Sequence, residues 1–501
     1  MDYVIGIDVG TSGVRGLLLD REANLHSVAV REYGMETPQA GWAEQDPQSW
    51  WDACLEVLCE LCGKIPPSQI KGIGLTGQMH SSVFLDKDDR VVRPALLWCD
   101  QRTHDEVDEI TSRVGFGRLV ELTANRALTG FTAPKVLWLR NHEPANYERL
   151  RRLLLPKDYI RSRLTGEYAT DVSDASGMLL LDVKNRKWSS ELLQALEIDR
   201  SILPSLHEGT EVTGTVSAEV SRLTGLSEDT VVMAGGGDQA AGAVGNGIVR
   251  EGPVLVTIGT SGVVFASSDK PAIDRQARLH SFCHASPGLW HTMGVTLSAG
   301  GALQWLRNTL REMKTDLDYS DLEKRAHEAP PAAEGLLFLP YLTGERTPLF
   351  DPHARGVFAG LNLNHGIGHL TRAVMEGVAY TLNDAARLMK ESGNALEEIY
   401  LSGGGARSDL WSAIVANVLG LPIKRLSVDE GPAFGAALLA LVGTKAFDTT
   451  AEAAEASLKI RDEISPDPET MKVYESSYQR FRELYPALED HFRGQNGLSG
   501  H

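Results

Sequence analysis

Two aspartates that follow strand-like runs are the first candidates for chemistry. Asp8 comes after the apolar run at residues 4–7 and before the glycine-containing turn at residues 10–13. In such a turn the backbone N–H groups can converge on a phosphate oxygen. A carboxylate beside a phosphate is repelled unless a cation lies between them, so Asp8 is a candidate Mg²⁺ ligand, directly or through water. The alternative is an aspartate that only caps the turn.

The second aspartate, Asp238, follows an apolar run at residues 231–234 and three glycines at residues 235–237. Small residues of helical character come after it, so the glycines leave room for a ligand near a helix N-terminus. A carboxylate in that position can accept the proton of a substrate hydroxyl. An aspartate that caps the helix would show the same local pattern. The residue types leave both interpretations open.

An internal repeat indicates how these residues are positioned. The pentapeptide GTSGV occurs at residues 10–14 and again at residues 259–263, about half the chain later. An apolar, β-branched run precedes each copy and another apolar run follows it. The pattern predicts two related α/β halves that each open with strand, turn and strand. We expect domains at residues 1–246 and 247–501, with a hinge in the glycine-rich stretch near Asn246.

A third glycine-rich turn at residues 403–405 follows a strand-like run and favours contact with a nucleotide, although a structural turn fits equally. Two other glycine patterns, GxGxxG at residues 72–77 and GxGxxA at residues 235–240, lie deep in the chain. Both lack an acidic residue at the spacing of a dinucleotide fingerprint. No GxxxxGK[ST] is present. Phosphate binding is therefore assigned to the GTSGV turns.

Composition excludes several classes of function. The chain has 501 residues and a formal net charge of −18, which argues against nucleic-acid or anionic-membrane binding. No apolar run approaches the roughly 20 residues that span a bilayer. Five cysteines are too few and too odd in number for a disulfide scaffold, and the N-terminal run lacks a signal-peptide layout, so a cytoplasmic location is expected.

Two local patterns are interpreted as structural. The CxxC at residues 59–62 lies in a predicted amphipathic helix over residues 50–62, without a second Cys/His pair at zinc spacing. A basic run with helical spacing favours a solvated helix face over an anion site; it consists of Arg149, Arg151, Arg152, Lys157, Arg161 and Arg163. From about residue 470 an aromatic stripe predicts a packed helix, followed by a polar tail without fixed structure.

Two longer stretches, at residues 130–141 and 356–376, carry a resemblance to a known family. With Asp8 and the repeated turns, they resemble the FGGY carbohydrate kinases of the actin, Hsp70 and hexokinase superfamily. The resemblance covers nearly the whole chain and implies two duplicated ribonuclease H-like α/β domains with a cleft between them. Within the family, the branch that acts on D-xylulose is most similar, through residues 41–47, 77–80, 154–159, 281–285 and 339–348.

The resemblance implies transfer of the γ-phosphoryl group of MgATP to the O5 hydroxyl of D-xylulose. Asp238 and Asp8 would be catalytic, with Asp8 as the metal ligand. For the substrate, the resemblance implies contacts with Met79, His80, Trp98, Asp100, Asp238 and Gln239. For ATP, it implies contacts with Thr11, Ser12, Arg15, Gly259, Thr260, Gly404, Gly405 and Ala406.

Two residues depart from the family pattern where a sugar hydroxyl would be recognised. Gln239 and Cys99 stand where asparagine is familiar. A kinase for another ketose or a polyol, such as ribulose or glycerol, is therefore an alternative, and a non-catalytic ATP-binding protein is a second one. The expected partners are a small-molecule sugar and MgATP, without nucleic acid or membrane. The oligomeric state stays open, with a homodimer as one alternative.

Overall fold

Two mixed sheets, one in each half of the chain, form the centre of the protein. The computed structural model describes residues 2–312, 317–427 and 431–494. In spatial order, the first sheet consists of Val212–Thr215, Val231–Met233, Ile70–Gly77, Tyr3–Val9, Gly13–Asp20 and Leu25–Glu32, with Gly236–Gly237 also paired to Ile70–Gly77. The second consists of His280–Cys283, Trp290–Thr296, Gly262–Ser268, Gly252–Ile258, Leu396–Ser402, Ile423–Leu426 and Ile460–Ile464.

The two sheets repeat one arrangement around their first strands. Tyr3–Val9 pairs antiparallel with Gly13–Asp20 and parallel with Ile70–Gly77. The corresponding strand of the second half, Gly252–Ile258, pairs antiparallel with Gly262–Ser268 and parallel with Leu396–Ser402. A GTSGV turn joins the antiparallel pair in each half. The predicted duplication of strand, turn and strand is therefore confirmed.

Helices surround both sheets. Their bounds are Pro47–Cys62, His104–Val114, Phe116–Thr123, Thr132–His142, Pro144–Arg149, Pro156–Thr165, Val172–Ser176, Ser190–Ala195, Ala218–Thr224, Asp238–Gly245, Gly300–Glu312, Tyr319–Glu328, Ile367–Glu391, Asp409–Leu419, Pro432–Gly443, Thr450–Ser457 and Pro468–Gly494. Short strand pairs add Glu44–Gln45 with Ala95–Leu96, Val83–Leu85 with Arg152–Leu154, Ala169–Asp171 with Ser205–His207, Leu181–Asp182 with Lys187–Trp188, and Leu337–Leu339 with Val357–Ala359.

The aromatic stripe predicted near the end of the chain lies on the last helix, Pro468–Gly494, where Tyr474, Tyr478 and Phe481 are buried. The polar tail that follows lies outside the described residues. None of the helices in the described part of the chain combines the length and apolar character needed to cross a bilayer.

The helix Pro47–Cys62 shows how local sequence specifies one of these elements. The Asp46 side chain accepts a hydrogen bond from Gln48 N, proline occupies the first turn, and Gly63 follows the last residue. Its apolar face is buried and packs on the strand Gly13–Asp20. Cys62 lies on this buried face whereas Cys59 is exposed, and both thiols are free. The interpretation of the CxxC as part of an amphipathic helix is confirmed.

One helix of the second half belongs spatially to the first sheet. Pro432–Gly443 packs on the strands Tyr3–Val9 and Ile70–Gly77. Gly6 and Gly74 make this close approach feasible, since a Cβ at Gly74 would lie 1.8 Å from the carbonyl oxygen of Ala436. The same helix packs on Asp238–Gly245. The two halves are thus joined through a helix rather than through the chain near Asn246 alone.

Candidate active site

A cavity of about 430 Å³ opens between the two halves and is called the Asp238 cavity below. It brings together five residues predicted to contact a substrate: Met79, His80, Trp98, Asp238 and Gln239. The second half contributes the opposite wall, which consists of Ser261, Val263, His280, Phe282, Met293, Val295 and Arg346. A ligand in this cavity would therefore touch both halves of the chain.

Asp238 is the first residue of the helix Asp238–Gly245. The turn that delivers it needs glycine at Gly235, which has a φ of 78° and whose Cβ would lie 1.8 Å from the carbonyl oxygen of Leu75. The surrounding protein replaces water and raises the pKa of the Asp238 carboxyl to about 6, although the hydrogen bond from Gln239 N, 2.7 Å long, lowers it. A carboxylate with this pKa is well matched to proton transfer near neutral pH.

His80 presents one acceptor to the same cavity. Its backbone has a φ of 70°, and its ring lies 4.8 Å from that of Phe131, measured between centroids. Burial lowers the pKa of His80 to about 3, so the imidazole is neutral. Nδ1 lies 2.9 Å from the carbonyl oxygen of Gly177, which can only accept, so Nδ1 carries the hydrogen. Nε2 is therefore left as an acceptor for a hydroxyl group.

The backbone of His80 is held from behind by a buried ammonium group. Lys135 Nζ donates to the carbonyl oxygens of His80, Gly130 and Phe131, and the hydroxyl of Thr132 donates to the same His80 oxygen at 3.0 Å. Burial lowers the pKa of Lys135 to about 7. These contacts come from the helix Thr132–His142 and hold His80 in its unusual backbone conformation.

Trp98 connects the Asp238 cavity to the first GTSGV turn. Its indole Nε1 donates to Thr11 Oγ1 at 3.0 Å, and the Thr11 hydroxyl donates to Gln78 Oε1 at 3.3 Å. Gln45 Nε2 donates to the carbonyl oxygen of Thr11 at 2.7 Å. These three side chains hold Thr11, and the hydroxyl of Tyr33 holds the turn at Gly10 O, while Ser12 is exposed.

Asp8 lies at the end of the strand Tyr3–Val9, opposite Arg15 in the antiparallel register. Burial and the nearby Asp238 raise the pKa of Asp8 to about 7, and Arg15 lowers it. Asp8 Oδ1 is shielded from solvent and has no hydrogen-bond partner among the described residues. An unsatisfied buried carboxylate oxygen of this kind fits a bound cation or hydrogen-bond donor.

The residues around Asp8 fit Mg²⁺ bound together with a nucleotide. Within residues 2–312, 317–427 and 431–494, no three His, Cys, Asp or Glu side chains are grouped so that they enclose a metal ion. Mg²⁺ commonly takes one or two protein carboxylates and completes its shell with water and phosphate oxygens. Asp8 beside the first GTSGV turn, which is predicted to bind phosphate, fits this kind of site.

A second cavity, of about 510 Å³, is called the Gly404 cavity. It contains four of the residues predicted to bind ATP: Gly259, Thr260, Gly404 and Gly405. Ala406 does not line it and packs instead against the hydrophobic core of the second half. The remaining walls come mainly from three helices, through Gly300, Leu303, Gln304, Tyr319, Ser320, Glu323, Ser408 and Trp411.

The second GTSGV turn separates the two cavities. Gly259 and Thr260 line the Gly404 cavity, and the next residue, Ser261, lines the Asp238 cavity. The turn is held by backbone hydrogen bonds from Ala299 N and Gly301 N to the carbonyl oxygen of Thr260, at 2.9 and 3.0 Å. A group passed from one cavity to the other would cross this turn.

Asp100 is the predicted substrate residue that the structure places outside the cavity. Its carboxylate is fully buried and accepts hydrogen bonds from Ala43 N and from the guanidinium and backbone N–H of Arg102. Arg346, His280 and Phe282 also line the cavity, although they were not predicted as site residues. Phe282 and Arg346 lie in the motifs at residues 281–285 and 339–348, which was the available signal. Ser261, in the repeated turn predicted to hold the phosphate, lines the cavity as well.

A buried cluster of charges supports the loop before Asp238, and it corrects the expectation for the basic run. Lys157 and Arg161 are fully buried rather than solvated. Lys157 Nζ lies 2.6, 2.9 and 3.4 Å from carboxylate oxygens of Asp158, Asp171 and Asp174. For these two residues the expectation was wrong, because the compensating aspartates come partly from a later strand and helix, which helical spacing does not reveal. Arg149, of the same basic run, is exposed as expected.

Two contacts link this cluster to the loop before Asp238. Arg161 donates to the backbone carbonyl oxygens of Met233 and Ala234. Ser173 Oγ donates to the Asp171 carboxylate and accepts a hydrogen bond from Gly237 N at 3.1 Å. The residue immediately before Asp238 is therefore fixed by a serine that the charged cluster holds in place.

Comparison with known proteins agrees with this geometry. Models of the FGGY family of carbohydrate kinases match residues 3–245 with the N-terminal domain and residues 254–444 with the C-terminal domain. The chain is 41% identical to the xylulose kinase of Lactococcus lactis subsp. lactis, with 97% of each chain covered. It is also 41% identical to the xylulose kinase of Escherichia coli strain K12, with 97% of this chain and 99% of that one covered.

A solved structure gives the same result for the fold. The xylulose kinase from Rhodospirillum rubrum is 33% identical and matches with a TM-score of 0.93, covering 98% of this chain and 100% of that one. The expected fold, two related α/β domains of the actin, Hsp70 and hexokinase type, is confirmed. The chain belongs to the FGGY family of carbohydrate kinases.

Proposed function

We propose that the protein transfers the γ-phosphoryl group of MgATP to the O5 hydroxyl of D-xylulose, giving D-xylulose 5-phosphate and ADP. The observation that carries the proposal is the second GTSGV turn, where Thr260 lines one cavity and Ser261 the other. A nucleotide in the Gly404 cavity would extend its phosphates to this turn, and an alcohol in the Asp238 cavity would meet them from the opposite side. The full-length similarity to xylulose kinases supports D-xylulose as that alcohol.

Asp238 is the proposed proton acceptor. The O5 proton moves to its carboxylate while O5 forms a bond to the γ-phosphorus, and the bond from phosphorus to the bridging oxygen of ADP breaks. The electron pair of the broken bond leaves with ADP. The pKa of about 6 keeps Asp238 largely ionised at pH 7 and still basic enough to accept a proton in the transition state.

The sugar is proposed to contact Met79, His80, Trp98 and Gln239, all of which line the Asp238 cavity. His80 Nε2 would accept one sugar hydroxyl, because Nδ1 is engaged by Gly177. Asp100 is proposed to act indirectly, without contact to the sugar, because it holds Arg102 and the loop that carries Trp98.

The nucleotide is proposed to lie across both turns. Gly404 and Gly405 would face the adenosine, and Gly259 and Thr260 would contact the phosphates. Thr11, Ser12 and Arg15 of the first turn would approach the γ-phosphate from the other half, while Ala406 would support the adenosine site through the core. Asp8 would hold Mg²⁺, which neutralises phosphate charge when bound.

The domain ranges 1–246 and 247–501 remain part of the proposal. The break between the two family matches, after residue 245 and before residue 254, supports a boundary near Asn246. Closure of the two halves over sugar and nucleotide would exclude water from the γ-phosphate. A homodimer is left as a proposal for the assembly.

The test is a coupled assay of ADP formation with MgATP across D-xylulose, D- and L-ribulose, L-xylulose, glycerol and a sample without sugar. We expect the highest kcat/KM with D-xylulose and little turnover without sugar. A different preferred sugar would retain the kinase and overturn the named substrate. Absence of turnover with every sugar would overturn the kinase proposal in favour of a non-catalytic ATP-binding protein. Turnover that does not depend on sugar would overturn it in favour of an ATP hydrolase.

A further inference from the structure

Arg346 is the charged side chain that the second half places in the Asp238 cavity. It lies in the segment between the strands Leu337–Leu339 and Val357–Ala359, whereas Met79, His80 and Asp238 belong to the first half. The surrounding protein lowers the pKa of Arg346 from its ordinary value through burial, although the group remains a cation at any physiological pH. A desolvated guanidinium is thus directed toward a space that a ligand would fill.

The guanidinium has no protein acceptor among residues 2–312, 317–427 and 431–494. Its neighbour Glu345 does not pair with it, because the Glu345 carboxylate accepts from Thr296 Oγ1 at 2.6 Å, Leu297 N at 3.1 Å and Arg346 N at 2.7 Å. A half-buried guanidinium without a protein acceptor is free to donate into the cavity that it lines. A ligand in this cavity would supply the acceptor.

The groups around Arg346 specify what kind of acceptor fits. Both nearby imidazoles, His80 and His280, are neutral, and the positive charge of Arg346 contributes to their lowered pKa values. Met293, Val295 and Phe282 make the rest of this wall apolar. The guanidinium can only donate, and the rest of this wall is apolar, so an oxygen that carries no hydrogen is matched best at Arg346. A hydroxyl group at this place would also need an acceptor for its own proton, and His80 Nε2 is assigned to another hydroxyl of the sugar.

We infer that Arg346 is a specificity-determining residue that donates to the carbonyl oxygen of an open-chain ketose and so favours ketoses over the corresponding polyols. The inference rests on the proposed function and specifies its substrate class. It also explains why the second half contributes a cation to a cavity that otherwise holds the sugar-binding residues of the first half. Binding of the carbonyl would connect the two halves through the substrate.

The experiment compares D-xylulose with xylitol, in which the carbonyl is replaced by a hydroxyl. KM for D-xylulose and the inhibition constant of xylitol against D-xylulose are measured for the full chain and for Arg346→Met and Arg346→Lys. For Arg346→Met we expect KM to rise at least about tenfold, the usual scale for loss of a charged hydrogen bond, with the xylitol constant changed less than about threefold. Arg346→Lys, which keeps the charge and loses the fork of donors, should lie between.

Arg355→Met is the matched control, because this nearby arginine is exposed and donates only to backbone carbonyl oxygens of Pro352 and Ala354. Thermal unfolding and ADP binding report whether each variant is folded. If Arg346→Met does not fold, the comparison is made with Arg346→Lys instead. Equal losses for both ligands, or none for either, would overturn the inference. Absence of D-xylulose phosphorylation by the unmodified protein would instead overturn the proposed function.

Discussion

The indole Nε1 of Trp98 donates to the hydroxyl of Thr11 at 3.0 Å, so the wall of the Asp238 cavity and the first GTSGV turn share one hydrogen bond. Trp98 is 42% exposed and lines the cavity, and the Thr11 hydroxyl in turn donates a hydrogen bond to Gln78. A sugar that contacts the indole would therefore also affect the turn that is proposed to contact the phosphates. This relationship gives the first prediction.

Trp98→Phe keeps an aromatic wall and removes the donor. We expect kcat to fall roughly fivefold to tenfold, because Thr11 loses a hydrogen bond of about 1 kcal/mol and the turn becomes less well fixed, with a smaller change in the sugar KM. Steady-state kinetics measure both. Trp290→Phe is the control, since its indole donates to the carbonyl oxygen of Val183 and the residue lines neither cavity. A raised KM with unchanged kcat would show that Trp98 serves only as a wall for the sugar.

Asp238→Asn is expected to lower kcat at least about 10²-fold, the usual scale for loss of a general base, while the protein remains folded. In the unmodified protein, kcat/KM should decrease as the pH falls through about 6, because the protonated carboxyl cannot accept the O5 proton. A pH profile from 5 to 8 measures this. Near-normal turnover of a folded asparagine variant would remove Asp238 from the role of base.

Asp8→Asn should make the protein more stable and less active. The folded-state pKa of about 7 lies above the ordinary value of 3.8, so the folded protein retains a proton that the unfolded chain releases. Stability from this group is therefore greatest at acid pH and is lost as the pH rises from about 4 through 7. At pH 8 we expect the variant to gain up to about 4 kcal/mol in the free energy of unfolding, with the gain shrinking toward pH 4.

The functional side of the same substitution concerns the metal. The Mg²⁺ concentration for half-maximal turnover should rise at least about tenfold, whereas the sugar KM should change less than about threefold. Denaturant unfolding and Mg²⁺ titration of turnover are the two measurements. Asp88→Asn, in an exposed loop where Asp88 pairs with Lys87, serves as the control. An unchanged Mg²⁺ requirement would contradict the assignment of Asp8 as the metal ligand.

Ser173→Ala leaves Gly237 N without its acceptor and frees the residue before Asp238. We expect a loss of about 1–2 kcal/mol in stability and a lower kcat at nearly constant sugar KM, since the serine touches the loop and not the cavity. Ser162→Ala removes a hydroxyl that bonds within its own helix and should leave kcat unchanged. If both variants behave alike, the charged cluster has a purely structural role.

The sequence predicted those parts of the fold that depend on local pattern. The repeated turns, the helix Pro47–Cys62 and the carboxylates at two strand ends are signalled by short-range spacing, and the structure places Asp8 and Asp238 close enough to influence one another. Most of the predicted cavity residues lie in motifs where the residues that could do chemistry also belong to a turn. In these motifs the residue types and the local backbone predict the same site.

The remaining features depend on which segments meet in space. Lys157 has the spacing of a surface cation. Its burial is acceptable because Asp171 and Asp174 from later elements pack against it in addition to its neighbour Asp158. Arg346 belongs to a motif noted in the sequence. No local pattern shows, however, that its side chain lines a cavity formed mostly by the other half. Asp100 is adjacent to the cavity-lining Cys99, yet its side chain turns inward to Arg102.

The helix Pro432–Gly443 has a consequence for synthesis of the chain on the ribosome. One face of the first sheet, including the surfaces at Gly6 and Gly74, is covered by this helix. During translation those strands emerge more than 300 residues before their cover. The nascent first half therefore exposes an apolar face until the second half has been synthesised. The two halves complete their folding together, even though each has its own sheet.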